Sequence, residues 1–231
     1  MYTILIKKHK VMKFVLFFAF IFLTSMVISQ NNSSNEVIEK RINRISKSIE
    51  DKKTNTIQYE ILATKEGFQI RKYPELTVAS TELSSNSYSN NSSVGFRKIA
   101  SYIFGGNSSN EQIAMTSPVQ MNLGSSPTMS FFMPGNIDPK DLPTPNRKDV
   151  SLSIQPSKIV AVIEFSGWAS DKVLKKQFSL LKEKLKKESI EFDDSYSFLG
   201  YNPPYKLINR KNEVIIPLTN YKTHILVNKI N

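Results

Sequence analysis

Pro74-Glu75-Leu76-Thr77-Val78-Ala79 (PELTVA) is matched in spacing by Pro156-Ser157-Lys158-Ile159-Val160-Ala161 (PSKIVA). Each hexapeptide sits where two short runs of β-branched and aromatic residues meet. Phe68–Tyr73 and Leu76–Leu83 flank the first, and Val150–Gln155 and Lys158–Phe165 the second. Each strand pair is followed by one helix-patterned stretch and then a proline-marked strand, at Ser117-Pro118 and at Pro203-Pro204. The pattern predicts a duplicated β-β-α-β-β unit. Two such units bury their apolar faces together as one antiparallel sheet curved around two helices, an α+β arrangement.

The first helix is expected at Val94–Phe104. Phe96, Ile99, Ala100 and Ile103 share a face, Ser93 is placed to cap the start, and Gly105-Gly106 to stop it. Ser84–Ser93 before it reads as a polar loop. The second helix is expected at Asp171–Lys187, with Leu174, Phe178, Leu181 and Leu185 on one face and Ser170 as cap. Ile113–Leu123, Thr128–Met133, Ser197–Leu207 and Glu213–Leu218 read as further strands. Pro134–Pro145 reads as a loop.

Outside this region the chain changes character. Lys7, Lys8, Lys10 and Lys13 precede the run Phe14–Leu23 (FVLFFAFIFL), and a polar stretch starts at Gln30. That is the order of a secretory signal, with Val27 and Ser29 small enough for a cleavage site. The apolar run is short for a span of ~20 residues, and an uncleaved anchor is the alternative. Residues 30–55 read as a polar linker followed by an amphipathic helix marked by Ile38, Ile42, Ile45 and Ile49. Residues 56–218 form the expected folded domain, and 219–231 a tail. The protein is therefore expected to be exported, to the periplasm, the cell envelope or the outside.

Composition removes several function classes. The 231 residues contain no cysteine and two histidines, so thiolate metal sites, cysteine nucleophiles and the common Ser-His triads are not available to the domain. Gly105-Gly106 lacks the surrounding pattern of a phosphate loop. Glu191, Asp193 and Asp194 read as solvated loop charges. The expectation is a binding protein and not an enzyme. The net charge of +11 favours an anionic ligand or surface, and export argues against nucleic acid as partner.

Six stretches, in order, resemble the SOUL haem-binding family: YEILATKEGFQIRKYPELTVAST (59–81), GFRKIASYIFGGN (95–107), IAMTSPVQM (113–121), MSFFMP (129–134), SKIVAVIEFSGWAS (157–170) and GYNPPYKLINRKNEV (200–214). The M-T-S-P-V and Y-N-P-P…R-K-N-E-V blocks are specific in combination. The resemblance implies a pseudo-twofold α+β domain with a twisted antiparallel sheet or distorted barrel and two long helices. It implies haem or a related tetrapyrrole as ligand, held in an apolar cleft beside the first helix with cations near the propionates. Carried over residue by residue, the site is Phe96, Arg97, Ile99, Ala100, Ile103 and Lys206. A porphyrin's flat apolar face and two carboxylates suit such a wall and rim, to which Lys98 adds a charge.

The chain departs from the family's histidine-ligating members. His9 lies in the expected signal and His224 in the tail, so no axial histidine is expected in the domain. Met115, Met121, Met129, Met133 and Tyr102 remain as side chains chemically able to ligate iron, but strand methionines are chiefly core filler. Hydrophobic and propionate contacts are expected to dominate. The alternative is an envelope interaction protein that keeps the fold and uses Lys172, Lys175, Lys176, Lys182, Lys184, Lys186 and Lys187 to meet anionic lipid or a partner.

Overall fold

The computed structural model describes residues 56–135, 137–203 and 206–221. The expected signal, the linker with its amphipathic helix, and the tail beyond residue 221 lie outside the described residues, as do both histidines.

The described residues form nine strands and two α-helices: β1 Glu60–Lys65, β2 Phe68–Tyr73, β3 Leu76–Glu82, α1 Tyr88–Ile103, β4 Val119–Asn122, β5 Thr128–Phe132, β6 Ser151–Gln155, β7 Lys158–Ser166, α2 Asp171–Lys187, β8 Ser197–Gly200 and β9 Lys211–Pro217. The strands make one sheet in the order β1-β2-β7-β9-β8-β4-β5-β3-β6, antiparallel at every pairing. With β1 set aside, exchanging β2, β3, β4 and β5 for β6, β7, β8 and β9 reverses this order onto itself. That is the pseudo-twofold duplication expected from the two hexapeptides. The register agrees: Leu76 opposes Gln155 across β3 and β6, and Lys158 opposes Tyr73 across β7 and β2.

The side-chain period of two divides the central strands between two buried faces. One face packs under the helices, where Ile70, Ala79, Phe131, Ala161, Val214 and Ile216 meet Ile99, Ile103, Leu174, Leu181 and Leu185. Truncating one of these large aliphatics to Ala costs about 2–5 kcal/mol. The other face, free of helices, gathers Tyr73, Val78, Phe132, Val160, Leu199 and Ile215. The sheet is curled into a half-barrel, as large twisted sheets commonly are.

Helix α2 has the expected bounds and cap: the Ser170 hydroxyl accepts from the Val173 N–H. Helix α1 begins earlier than expected, at Tyr88, with Ser87 and not Ser93 as cap. The segment expected as the end of a loop is its first turns. Ser, Asn and Tyr are weak helix formers, and tertiary bonds hold them. The Asn91 amide is buried and donates to the Ser85 and Ser87 carbonyls, and the Asp171 carboxylate accepts from the Tyr88 and Ser89 N–H groups. At the other end Gly105 takes φ +101, and the Gly106 N–H closes back to the Ser101 carbonyl, as expected of a glycine stop.

Two strands are shorter than expected. Only Val119–Asn122 of Ile113–Leu123 is ladder. The stretch before it is held singly, by Thr116 Oγ1 donating to the Phe132 carbonyl and the Ser117 carbonyl accepting from the Ile57 N–H. Ser197–Leu207 ends as a strand at Gly200, because the prolines that follow cannot donate to a ladder.

Candidate functional site

The side chains expected to bind ligand separate into three environments. Ile99, Ala100 and Ile103 are buried and face the sheet. Phe96 is half-buried and packs on Phe131, ring centroids 5.1 Å apart. Arg97 lies exposed on the outer side of α1, while Lys98 pairs with Asp149 at 3.1 Å. Lys206 lies exposed in the loop between β8 and β9. The two expected propionate partners thus stand on different elements, α1 and the β8–β9 loop.

That loop carries a surface of a different kind. Leu207 is 69% exposed and Ile208 75%, and Trp168, the chain's single tryptophan, is 55% exposed in the turn before α2. The Arg210 guanidinium lies 4.4 Å from the Trp168 ring centroid. It donates to the carbonyls of Asn202, Pro203 and Lys206 and makes no ion pair among the described residues. Its Nε is buried without a hydrogen bond among the described residues. Arg210 also lies near the first residue of α1: burial raises the Tyr88 phenol above its ordinary value, and the Arg210 charge opposes that rise. An exposed indole, two exposed aliphatics and a guanidinium without an ion pair among the described residues thus share one end of the domain with Lys206. Surfaces of this composition take apolar ligands that carry anionic groups.

The motif that ends in Arg210 to Val214 has mostly a structural explanation. Asn202 Oδ1 accepts from the Lys211 N–H, the Asn212 amide donates to the Gly167 carbonyl, and the Tyr201 hydroxyl donates to Glu213 at 2.8 Å. Glu213 is fully buried and meets Arg71 of β2 at 2.9 Å and Lys211 at 3.2 Å. Arg71 also donates to Gln69 and lies 4.2 Å from the Tyr59 ring centroid. Burial opposes the Arg71 charge, but Glu213 outweighs it and holds the guanidinium above its ordinary pKa. Burial, then Glu213, pushes the Tyr201 phenol up. Every charge in this cluster has a partner, so it clamps β2 to β9.

Iron ligands are scarce. The Tyr102 hydroxyl donates to the Pro143 carbonyl, and burial pushes its pKa up to about 12. Met121, Met129 and Met133 are core residues, and Met115 is exposed. Among the described residues no group of three or more His, Cys, Asp or Glu side chains is placed to hold a metal ion. On α2, Lys182 pairs with Asp194 and Lys184 donates to the Glu66 carbonyl. Lys172, Lys175, Lys176, Lys186 and Lys187 are exposed.

The reading of the sequence missed Trp168 and Arg210 as candidate site residues. Their signal was there: one tryptophan in a polar turn, and the arginine that opens R-K-N-E-V. Their meeting across the loop was not visible.

Comparison with known proteins places these features in a lineage. A family model described as SOUL heme-binding protein matches residues 54–217. Heme-binding protein 2 of Homo sapiens is 33% identical over 156 residues, covering 64% of this chain and 76% of that protein. Heme-binding protein 1 of Xenopus laevis is 26% identical over 156 residues, covering 64% and 81%. Among solved structures, the C-terminal domain of EcmrR shares the fold with a TM-score of 0.52 at 11% identity, covering 71% of this chain and 99% of that one.

Proposed function

Because the chain belongs to the SOUL heme-binding protein family, we propose that it binds haem or a related tetrapyrrole, as an exported protein that acts by binding and not by catalysis. The family match over residues 54–217 carries this reading. The surface formed by Trp168, Leu207, Ile208, Arg210 and Lys206 supports it, because a tetrapyrrole needs an apolar face to lie on and cations for its carboxylates.

The residues fit the group in this way. Trp168, Leu207 and Ile208 would cover the macrocycle's apolar face, while Lys206 and Arg210 would meet its propionates, with Arg97 as a further cation along α1. Ile99 and Ile103 reach a ligand only through a displacement of α1, since both are packed against the sheet. Bound haem would supply an iron centre, and the domain offers it no histidine among its residues 56–218. Affinity then rests on hydrophobic and charge contacts, with low discrimination between metallated and metal-free porphyrins.

Titrating the purified protein with hemin and following the Soret band tests the reading. A saturable change at micromolar hemin is expected, and its absence would overturn the proposal. Export is tested by fractionation and N-terminal sequencing of the native protein: a start at Gln30 supports a cleaved signal, an intact start in the membrane fraction supports an anchor, and cytosolic recovery overturns export.

One observation favours a second reading. Five lysines of α2 stand exposed without an ion pair among the described residues, enough charge to hold an anionic lipid surface. Sedimentation with anionic vesicles, but not with neutral ones, would support it.

A further inference from the structure

Leu207 and Ile208 are the two most exposed large apolar side chains among the described residues. They are successive, and Asn209 turns the chain straight after them at φ +50. Two neighbours exposed to that degree stand proud of the surface and cannot both line a groove. The backbone that carries them is held. Arg210 donates to the carbonyls of Asn202, Pro203 and Lys206, and the Lys206 N–H donates to the Pro203 carbonyl at 3.1 Å. The turn that carries Trp168 is tied to β9 by the Asn212 amide, which donates to the Gly167 carbonyl at 2.8 Å. Polar bonds thus fix the loop and the turn, and their apolar side chains are left over for a partner.

The charges around this tip have one sign to spare. Lys206 and Lys172 are exposed, and neither they nor Arg210 make an ion pair among the described residues. Asp171, whose charge acts with that of Arg210 on the Tyr88 phenol, is engaged by the N–H groups of α1. Glu164 meets Lys211 at 3.4 Å.

A rigid protein partner needs a hollow that matches a protruding tip, whereas a lipid headgroup layer closes around it. The composition suits that layer at each depth. Aliphatics reach the acyl boundary, an indole rests at headgroup level, and Lys and Arg meet lipid phosphates. Unpaired cations select a surface rich in anionic lipid.

We propose that this end of the domain docks on an anionic lipid bilayer, with Leu207 and Ile208 inserted, Trp168 at the interface, and Lys206 and Lys172 on the phosphates. The inference goes beyond the tetrapyrrole reading of the same surface, since docking needs no ligand. It also differs from attachment through the charge of α2, which inserts nothing.

Trp168 is the one tryptophan of the 231 residues, so its emission reports on this surface and not on the apolar run Phe14–Leu23. The full chain is titrated with vesicles of phosphatidylcholine and phosphatidylglycerol in equal parts, and with phosphatidylcholine alone. A saturable blue shift on the anionic vesicles is expected, with quenching by lipids brominated in the acyl chain and half-saturation at least about tenfold later on neutral ones. Exchanging both aliphatics, Leu207→Ser with Ile208→Ser, keeps the charge and should raise the half-saturating lipid concentration at least about tenfold. Both positions are exposed, so the thermal midpoint should hold; should the variant fail to fold, acyl-chain quenching in the parent decides alone. Sedimentation with vesicles while the emission stays unshifted would put attachment elsewhere and overturn the proposal. An unchanged half-point in the double variant, or an equal shift on neutral vesicles, would do the same. A shift that grows with protein concentration in the absence of lipid would assign the tip to a second copy of the chain and overturn it too. No hemin enters the assay, so its failure leaves hemin binding standing, and a failed hemin titration leaves docking standing.

Discussion

The Asp171 carboxylate, in the first turn of α2, accepts a hydrogen bond from the Tyr88 N–H at 2.7 Å and so caps the other helix. It also accepts from the Ser89 N–H and the Ser87 hydroxyl. The two pseudo-equivalent helices therefore start at one shared carboxylate, which satisfies free N–H groups and sits at the positive end of the α1 dipole. Asp171→Ala should destabilise the domain by about 1 kcal/mol, with Asp171→Asn in between. The bonds from Ser89, Tyr88 and Ser87 hold the Asp171 pKa below its usual 3.8. A depressed folded pKa means that the contribution is whole above the unfolded value and fades as pH falls below it. Thermal melts at pH 7 and pH 3 check this: the gap between parent and Asp171→Asn should narrow at the lower pH.

Arg71 and Glu213 form the buried pair that joins β2 to β9. Glu213→Gln leaves a buried guanidinium beside the Gln69 side chain, the Tyr73 phenol and the Tyr59 ring but without its anion, and should cost about 3–5 kcal/mol. Arg71→Met is the milder change, since Glu213 keeps Tyr201 and Lys211. The double variant should recover part of the loss, giving a coupling of about 0.5–3 kcal/mol in a denaturant double-mutant cycle. Strict additivity would show that the pair clamps nothing.

How legible these features were in the sequence depended on the distance over which they act. Phe68–Tyr73 and Asp171–Lys187 were readable to the residue because period and cap are local signals. The twin hexapeptides announced the duplication because the same backbone corner recurs. The start of α1 was hidden because its stabilisation comes from Asp171, far along the chain. Trp168 and Arg210 were hidden for the same reason.

Asn107, last residue of the GFRKIASYIFGGN block, is buried and fully bonded. Its amide nitrogen donates to the Tyr102 and Glu111 carbonyls at 3.0 and 2.7 Å, and its Oδ1 accepts from the Ser109 and Glu111 N–H groups. Asn107→Asp would set a carboxylate oxygen against two carbonyl oxygens. It should cost about 2–4 kcal/mol, more than Asn107→Ala, which removes the bonds without adding repulsion. Urea unfolding of the two variants gives the order directly; the reverse order would mean that the loop rearranges around the carboxylate.

Trp168 and Lys206 separate the two places where a tetrapyrrole can sit. If the ligand lies on the β8–β9 end, Trp168→Ala removes an exposed ring of large area and Lys206→Glu replaces a cation by a repelling charge. Each should weaken hemin binding by about 1–2 kcal/mol, roughly five- to thirtyfold. Neither side chain is needed for packing, since Trp168 is 55% exposed and Lys206 uses only its backbone in the loop, so melting should barely move. Arg97→Glu reports on the outer side of α1 instead. A loss confined to Arg97→Glu would move the ligand to the α1 face and require α1 to shift so that Ile99 and Ile103 reach it. A loss confined to Trp168→Ala and Lys206→Glu would keep α1 in place and leave its Phe and Ile stripe as core.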